Sequence, residues 1–360
     1  MQNSGRSLKV ITPTNNKKLE VRLMVQIKKI NGLNVQLNKS LELMLAIHSV
    51  YLKEHPEYVD EFNFVEVPPI SYVNELESII NSVEHQNLIN DLIEFTDESE
   101  CVNIALALTN DYELDKDKAN LSQINKYLGN VDLEEFINRF KEYADKINWN
   151  SFYESHQQFY IQLYSQFCDF PENLDLNDIN NFYGTNETNY NYIPSILMNG
   201  GFGVKNIDNN MYYIRGIQWW KEEKRFYYDK KYLLECLFHE FSHPQVNPLV
   251  DKYYDLFTNI ESLIKYSIDN NLPKTYQNGR TILYEYFVRA NAYIMTLKYY
   301  PDSKISDWIL QHGFKYLNDL ASYTSNSINK YNNYEELFKN ELIIYMNNIL
   351  SNKISDGIRR

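Results

Sequence analysis

The stretch LLECLFHEFSHPQVNPL, residues 233–249, places two histidines four positions apart with a glutamate directly after the first. Residues four apart in an α-helix lie almost above one another, so His239 and His243 are predicted to direct their rings at one point. Glu240 lies about 100° further round the helix axis, where its carboxylate can reach a water molecule at that point. Apolar residues occupy other positions of the same predicted helix, namely Leu233, Leu234, Leu237, Phe238 and Phe241. A polar triplet held on an apolar helix indicates a rigid metal site.

These residue types fit a hydrolytic zinc centre. Zinc in such a centre takes three protein ligands and leaves a fourth position for water, whose pKa it lowers toward neutrality. We therefore expect one Zn2+ per chain, bound by His239 and His243, with Glu240 as the general base that passes a proton to the leaving amine. The alternative is a purely structural amphipathic helix, which predicts no bound metal.

The third ligand has to come from elsewhere in the chain, because no third histidine follows in the spacing HExxHxxGxxH. Acidic residues further along are the remaining option, and they are Asp251, Asp255, Glu261 and Glu285. Glu285 has Arg289 one turn later on the same helical face, where a guanidinium can orient a ligating carboxylate. Glu261 follows His243 by 18 residues, a separation close to that of several zinc peptidases.

Two prolines complicate the helix. Pro244 follows His243 directly, and the residue before a proline is biased away from helical torsions. We therefore expect the helix to end or kink directly after His243, and Asn247-Pro248 to favour a turn.

Four segments in order, NGGFGV, HEFSHPQVNPL, YEYFVRANAY and QHGFKYLNDLASY, resemble an uncharacterised bacterial family described as zinc peptidases. The motif HEFSH with a glutamate on a later helix also resembles the gluzincin group of metallopeptidases. The resemblance covers about residues 40 to 350. It implies His239, His243 and Glu285 as ligands and Glu240 as general base, and it favours Glu285 over Glu261.

In gluzincins an edge strand beside the zinc binds the substrate as an added antiparallel strand, so the resemblance implies a peptide or protein substrate. The segment 198–204 is the candidate here, with Gly200, Gly201 and Phe202 at its centre. Adjacent glycines permit the close backbone approach that such pairing needs. An ordinary hairpin or a glycine bulge is the alternative. Tyr293 and His312 are candidates for polarising the substrate carbonyl.

Composition excludes other classes of function. The net charge is −13, from 35 basic and 48 acidic side chains, so nucleic acid is not an expected partner. No apolar run approaches the ~20 residues of a membrane span. The first residues lack the apolar segment of a signal peptide, so a cytoplasmic location is expected. The alternative is an exported protein with a trimmed leader, since relatives in the resembling family are commonly exported.

The layout predicts an α+β, mostly helical protein with a zincin-like core. We expect a small antiparallel sheet, an active-site helix and a C-terminal helical lobe. The predicted regions are a β-ribbon over 1–38, a helical region over 39–185, the metallopeptidase core over 186–352 and a tail over 353–360. The expected function is zinc-dependent hydrolysis of peptide bonds. Another metal-dependent hydrolase and a non-catalytic metal-binding protein are the alternatives.

Overall fold

A small mixed sheet lies between two groups of helices in the computed structural model. The structure describes residues 30–54, 70–80, 98–115, 132–165, 170–185, 188–198, 201–205, 210–216, 218–220, 225–227, 229–272, 274–305, 309–310 and 313–357. The strands are β1 (Leu33–Val35), β2 (Asn189–Ser195), β3 (Gly201–Lys205), β4 (Asn210–Gly216), β5 (Gln218–Trp220) and β6 (Arg225–Tyr227).

The sheet has the order β1-β2-β4-β3, and β5 pairs with β6 as a separate ribbon. β1 and β4 both run parallel to β2, whereas β3 runs antiparallel to β4 at the edge. The predicted α+β, mostly helical class is confirmed, but the prediction of an antiparallel sheet is wrong. In the observed four-stranded sheet only β3 and β4 are antiparallel neighbours, because the chain passes through helices before β2 and places β3 outside β4.

Helices make up most of the described chain. In the first half they are α1 (Lys39–Glu54), α2 (Ile70–Ile80), α3 (Glu98–Leu106), α4 (Leu133–Lys146), α5 (Trp149–Ser155), α6 (Gln157–Ser165) and α7 (Asp178–Tyr183). In the second half they are α8 (Lys230–Tyr253), α9 (Glu261–Asp269), α10 (Gly279–Tyr299), α11 (Leu317–Ser327), α12 (Tyr334–Leu337) and α13 (Ile343–Gly357). A π-helical turn, Phe338–Leu342, joins α12 to α13.

Alternate residues of the central strands enter two different hydrophobic cores. Tyr213 of β4 packs in a core with α8, α10 and the C-terminal helices. Its neighbours Tyr212 and Ile214 pack in a second core with α1 to α6. Successive side chains of a strand point to opposite faces of the sheet, so the sheet is covered on both faces.

The helix that carries the histidines is longer than expected. α8 passes through Pro244 and Pro248 and ends at Tyr253, so the helix does not end after His243, and residues 247–248 are helical rather than a turn. A proline inside a helix removes one backbone hydrogen bond and costs about 3 kcal/mol. Val246 and Val250 beyond the first proline are fully buried in the core, and this burial offsets part of that cost.

Other expectations are adjusted by the structure. Within the predicted helical region, the aromatic segment from residue 149 divides into α5 and α6 at His156, whose Nδ1 lies 2.8 Å from the Phe152 carbonyl oxygen. α13 extends to Gly357, so most of the predicted tail is helical. The first strand of the predicted N-terminal ribbon lies outside the described residues; its second part includes β1. Among the described helices, every one is too short or too polar to cross a lipid bilayer.

Candidate metal centre

The two histidines are fixed by the way α8 starts and packs. Asp229 caps the helix, because its side chain accepts hydrogen bonds from the backbone N–H groups of Lys231 and Tyr232 at 2.9 and 3.0 Å. A cap of this kind stabilises a helix by about 1 kcal/mol. The apolar residues predicted to face the core are all buried, namely Leu233, Leu234, Leu237, Phe238 and Phe241. His239 and His243 lie on the other side of the helix from this stripe.

α8 and α10 bring two imidazoles and a carboxylate together. The Nε2 atoms of His239 and His243 lie 3.1 Å apart. From Glu285 of α10, Oε1 lies 3.4 Å from His243 Nε2 and Oε2 lies 3.7 Å from His239 Nε2. The possible ligand atoms of these three residues all lie within 4.8 Å of one another.

These distances fit a divalent metal ion. Ligand atoms about 2.0–2.1 Å from a tetrahedral ion are separated from each other by about 3.3 Å. Glu285 is only 6% exposed. Its two oxygens lie within 3.7 Å of the two imidazole nitrogens, and together these groups form a donor set that a cation would complete.

Burial prepares His239 as a neutral ligand, and Asn247 orients the ring of His243. Burial lowers the pKa of His239 well below its usual range, and the charges of Arg289 and His243 act in the same direction. Asn247 lies one turn beyond His243, and its Oδ1 is 3.2 Å from Nδ1 of that ring. Because the amide oxygen can only accept, Nδ1 carries the proton and the Nε2 lone pair is left for a metal.

Arg289 takes the position that the sequence predicted, one turn after Glu285. Its Nη2 forms an ion pair with Glu285 Oε2 at 2.7 Å. The guanidinium also lies over the ring of Phe314, 4.9 Å from its centre. A hydrogen bond to Tyr276 holds it as well. Arg289 therefore holds the Glu285 carboxylate in its orientation.

Glu240 lies at the mouth of this centre and faces β3. Its Oε1 is 4.0 Å from His239 Nε2. A Cβ atom placed on Gly203 of β3 would come within 2.7 Å of Glu240 Oε2, so only glycine fits without displacing the carboxylate. Burial raises the pKa of Glu240 to about 8, with a further rise from Glu285 that Arg289 and Arg215 oppose. A carboxylate with such a pKa takes up a proton near neutral pH.

A cleft of about 380 Å³ opens beside Glu240. Gly203 of β3 and Met211 of β4 line one side of the cleft, and the proline-containing half of α8 lines the other with Glu240, His243, Pro244 and Asn247. Strand β3 is the outer strand of the sheet, which leaves one of its edges without a partner in the described sheet. Gly201 and Phe202 belong to this strand, and Gly200 lies outside the described residues.

The other acidic candidates do not reach the centre. Glu261 begins α9 and is exposed, and Asp255 is also exposed. Asp251 accepts hydrogen bonds from Arg280 and Tyr284 at 2.8 and 2.5 Å. The metal-type cluster of the described residues contains only Glu285 as its acid.

Of the two candidates for polarising the substrate carbonyl, the structure describes only Tyr293. The Tyr293 hydroxyl donates to the Ser303 carbonyl oxygen at 3.1 Å. His312 lies outside the described residues.

Sequence reasoning missed several neighbours of the centre, namely Asn247, Tyr276, Tyr213 and Arg215. A signal for Asn247 was present, since it stands four residues after His243 and therefore on the same helical face. Tyr276 and the two β4 residues approach from other elements. Nothing in the local sequence marks them, because their positions depend on how the sheet and helices pack.

Comparison with protein-family models matches residues 33–345 to a domain of unknown function, DUF4932. Comparisons with curated proteins and with solved structures give no match.

Proposed function

The chain belongs to the DUF4932 family, and we propose that it is a zinc-dependent metallopeptidase with a gluzincin-like centre. The observation that carries this proposal is the meeting of four side chains from two helices. His239, His243 and Glu285 have their donor atoms within 4.8 Å, and Glu240 lies beside them against the edge strand.

His239, His243 and Glu285 would hold the ion. A bound Zn2+ would supply a Lewis acid that polarises the scissile carbonyl and acidifies a water molecule. Asn247 holds the protonated Nδ1 of His243, so that Nε2 faces the ion. Arg289 keeps the Glu285 carboxylate from rotating away, through an ion pair of 2.7 Å.

Glu240 would move the protons of the reaction. Its carboxylate accepts a proton from the attacking water and delivers it to the leaving amine. Burial together with Glu285 raises the pKa of Glu240 to about 8, and the charge of a bound divalent ion would oppose this rise and favour the carboxylate that accepts the proton. Gly203 leaves room for the carboxylate to stay close to the edge strand.

β3 would bind the substrate as an extended strand. Its outer edge offers backbone N–H and C=O groups for pairing with a peptide. Gly203 on this strand lies directly against Glu240, so a peptide paired there runs past the general base. This arrangement favours a peptide over a compact ester or amide, and thus a peptidase over the second candidate, another metal-dependent hydrolase.

The experiment compares Glu240→Gln with wild-type protein purified without added zinc. If the protein is an enzyme, the Glu240→Gln variant should keep about one zinc per chain, measured by plasma mass spectrometry. Its rate of cleavage of a peptide library should fall by several orders of magnitude. Unchanged cleavage would remove Glu240 as the base. Zinc bound stoichiometrically with no hydrolysis by either protein would favour the third candidate, a non-catalytic metal-binding protein.

A second pair of variants tests the ligand assignment. Glu285→Ala should lose bound zinc, and Glu261→Ala should retain it as the matched control. The assignment is wrong if zinc is lost from the Glu261 variant instead.

A further inference from the structure

Arg215 is a cation at the end of β4 that the proposed reaction does not use. It stands on the same face of the strand as Tyr213, toward α8. Its Nη1 donates a hydrogen bond to the Tyr213 hydroxyl at 2.6 Å. Its guanidinium also lies over the ring of Tyr232 on α8, 4.9 Å from the ring centre. Two tyrosines therefore hold a half-buried arginine in one place.

No carboxylate pairs with this arginine within the part of the chain that the structure describes. The chain has 48 acidic and 35 basic side chains, so acids are plentiful. A partly buried cation usually acquires a paired anion, because removing its hydration is costly. Arg215 instead has neutral phenolic partners, which leave its charge available to a ligand.

The register of the sheet relates Arg215 to the proposed scissile bond. Arg215 pairs with Gly201 on β3, and Tyr213 pairs with Gly203. Gly203 is the residue that lies against Glu240. Two residues along a strand span about 7 Å, so Arg215 stands one substrate residue or two away from the reacting bond. The charge of Arg215 reaches Glu240, since it opposes the rise in the pKa of that carboxyl.

Gly201 also gives the arginine access to the outer edge of β3. A Cβ atom on Gly201 would collide with the Tyr213 hydroxyl, the same oxygen that accepts from Arg215. The guanidinium therefore lies close to the strand at a position without a side chain. A ligand paired along the edge would meet this cation with only backbone between them.

The strand direction decides which end of a substrate lies there. β3 runs from Gly201 to Lys205, so a peptide added antiparallel runs from the Lys205 end toward the Gly201 end. With the scissile bond beside Gly203, the residues toward Gly201 belong to the leaving-group side. Any carboxylate near Arg215 therefore lies on the C-terminal side of the bond.

We propose that Arg215 binds a carboxylate on the leaving-group side of a peptide substrate, one or two residues after the scissile bond. A guanidinium can donate two parallel hydrogen bonds to the two oxygens of a carboxylate in a planar contact. The carboxylate is either the free C-terminus of a peptide or an acidic side chain. This inference rests on the proposed peptidase function, and it makes the enzyme selective for acidic leaving groups on a protein that otherwise repels anions.

The test measures binding rather than turnover. Zinc-loaded Glu240→Gln protein is immobilised and offered three hexapeptide libraries, whose retention is quantified by mass spectrometry. One library ends in a free carboxylate, one is amidated, and one is amidated with aspartate at the penultimate position. We expect 10–100-fold greater retention of the carboxylate library than of the amidated one, as befits a charged hydrogen bond.

Variants of the same protein assign the effect to one side chain. Arg215→Met should reduce the ratio to about 1, and Arg215→Lys should leave an intermediate ratio, because it keeps the charge and loses the planar fork. Arg139→Met is the matched control, since it removes an arginine from α4, whose core lies on the other face of the sheet. Melting temperatures confirm that each variant is folded.

The outcomes separate the two proposals. Arg215-dependent retention of the aspartate library alone supports the inference and identifies the carboxylate as a side chain. Equal retention of all three libraries by protein with Arg215 intact overturns the role of Arg215 and leaves the peptidase proposal standing. Failure to retain any library, together with no peptide cleavage by the wild type, overturns both.

Discussion

Glu42 carries a carboxyl group that is buried on α1, in the hydrophobic core on the face of the sheet opposite α8. It is 1% exposed, and its Oε1 accepts a hydrogen bond from the backbone N–H of Ile196 at 2.9 Å. Its Oε2 has no hydrogen-bond partner among the described residues. Burial raises the pKa of Glu42 from 4.5 to about 7, although the Ile196 and Ser195 hydrogen bonds oppose the rise.

This shift predicts a pH-dependent stability. The unfolded chain releases the Glu42 proton near pH 4.5 and the folded chain near pH 7. The contribution of the neutral carboxyl to the stability of the fold is therefore complete below pH 4.5, and it is lost as the pH rises through 7. Glu42→Gln keeps an acceptor for Ile196 and cannot ionise. We expect it to match wild type near pH 4.5 and to be about 3 kcal/mol more stable at pH 8, as measured by urea unfolding.

A matched control is Glu154→Gln, which changes an exposed carboxyl of α5. It should produce no comparable pH-dependent difference. Equal stability of the Glu42 variant and wild type at pH 8 would mean that the buried carboxylate is compensated by a group not identified above.

Asn247 provides a second prediction at the scale of single residues. Replacing it by alanine removes the acceptor for His243 Nδ1, and losing such a partner typically lowers metal affinity 10–100-fold. Competition with a chromophoric chelator measures the zinc affinity. Asn247→Asp retains an acceptor and should restore most of it; identical zinc affinities for the alanine variant and wild type would contradict the role.

The residue scale also shows what the sequence could predict about the site. His239, Glu240 and His243 share one helix, so their mutual placement follows from helical geometry alone. Glu285 lies 42 residues after His243, and only the resemblance favoured it over Glu261. Arg215 could not be found, because its relation to Glu240 passes through the pairing of β3 with β4.

At the scale of elements, α8 corrects the interpretation of its two prolines. Local torsional bias predicts an end at His243, but packing against α10 and the sheet keeps the helix intact to Tyr253. Prolines 244 and 248 leave the carbonyl groups of residues 240 and 244 without their usual helical donors. Both prolines line the cleft, where the helix is not covered by another element.

Strand β3 makes a prediction through Gly203. Gly203→Ala would place a methyl group 2.7 Å from Glu240 Oε2, the end of a side chain that can move aside. We therefore expect stability to change little and zinc to be retained, while peptide cleavage falls about 100-fold because the base is displaced. Steady-state kinetics and zinc content test this together. Wild-type cleavage by the alanine variant would separate β3 from the reaction.

The directions of the strands were beyond local patterns. β3 and β4 are close in the sequence, and local patterns can indicate antiparallel pairing of this kind. β1 and β2 are separated by more than 150 residues, and β4 inserts between β2 and β3. Pairing over such distances is decided by the two cores that the sheet separates, and a sequence window does not contain them.

At the scale of the whole molecule, the proposed ion would join α8 to α10, and the described residues that could bind it all belong to these two helices. Removing zinc with a chelator should lower stability by about 4 kcal/mol relative to protein at a thousandfold excess over the dissociation constant. Hydrogen exchange should quicken mainly in α8 and α10, and little in α4 and α5. Glu285→Ala protein should be insensitive to the chelator; a uniform response in all helices would contradict this local coupling.

The distance between the ligands along the chain has a consequence for biosynthesis. At 5–20 residues per second, a ribosome needs roughly 2–8 s to extend the chain from His243 to Glu285. During this interval the newly made imidazole pair has no acidic partner, so it can hold an ion only weakly. Secure capture of the proposed ion would have to wait until α10 has been made and has docked, which would make loading a late event in maturation.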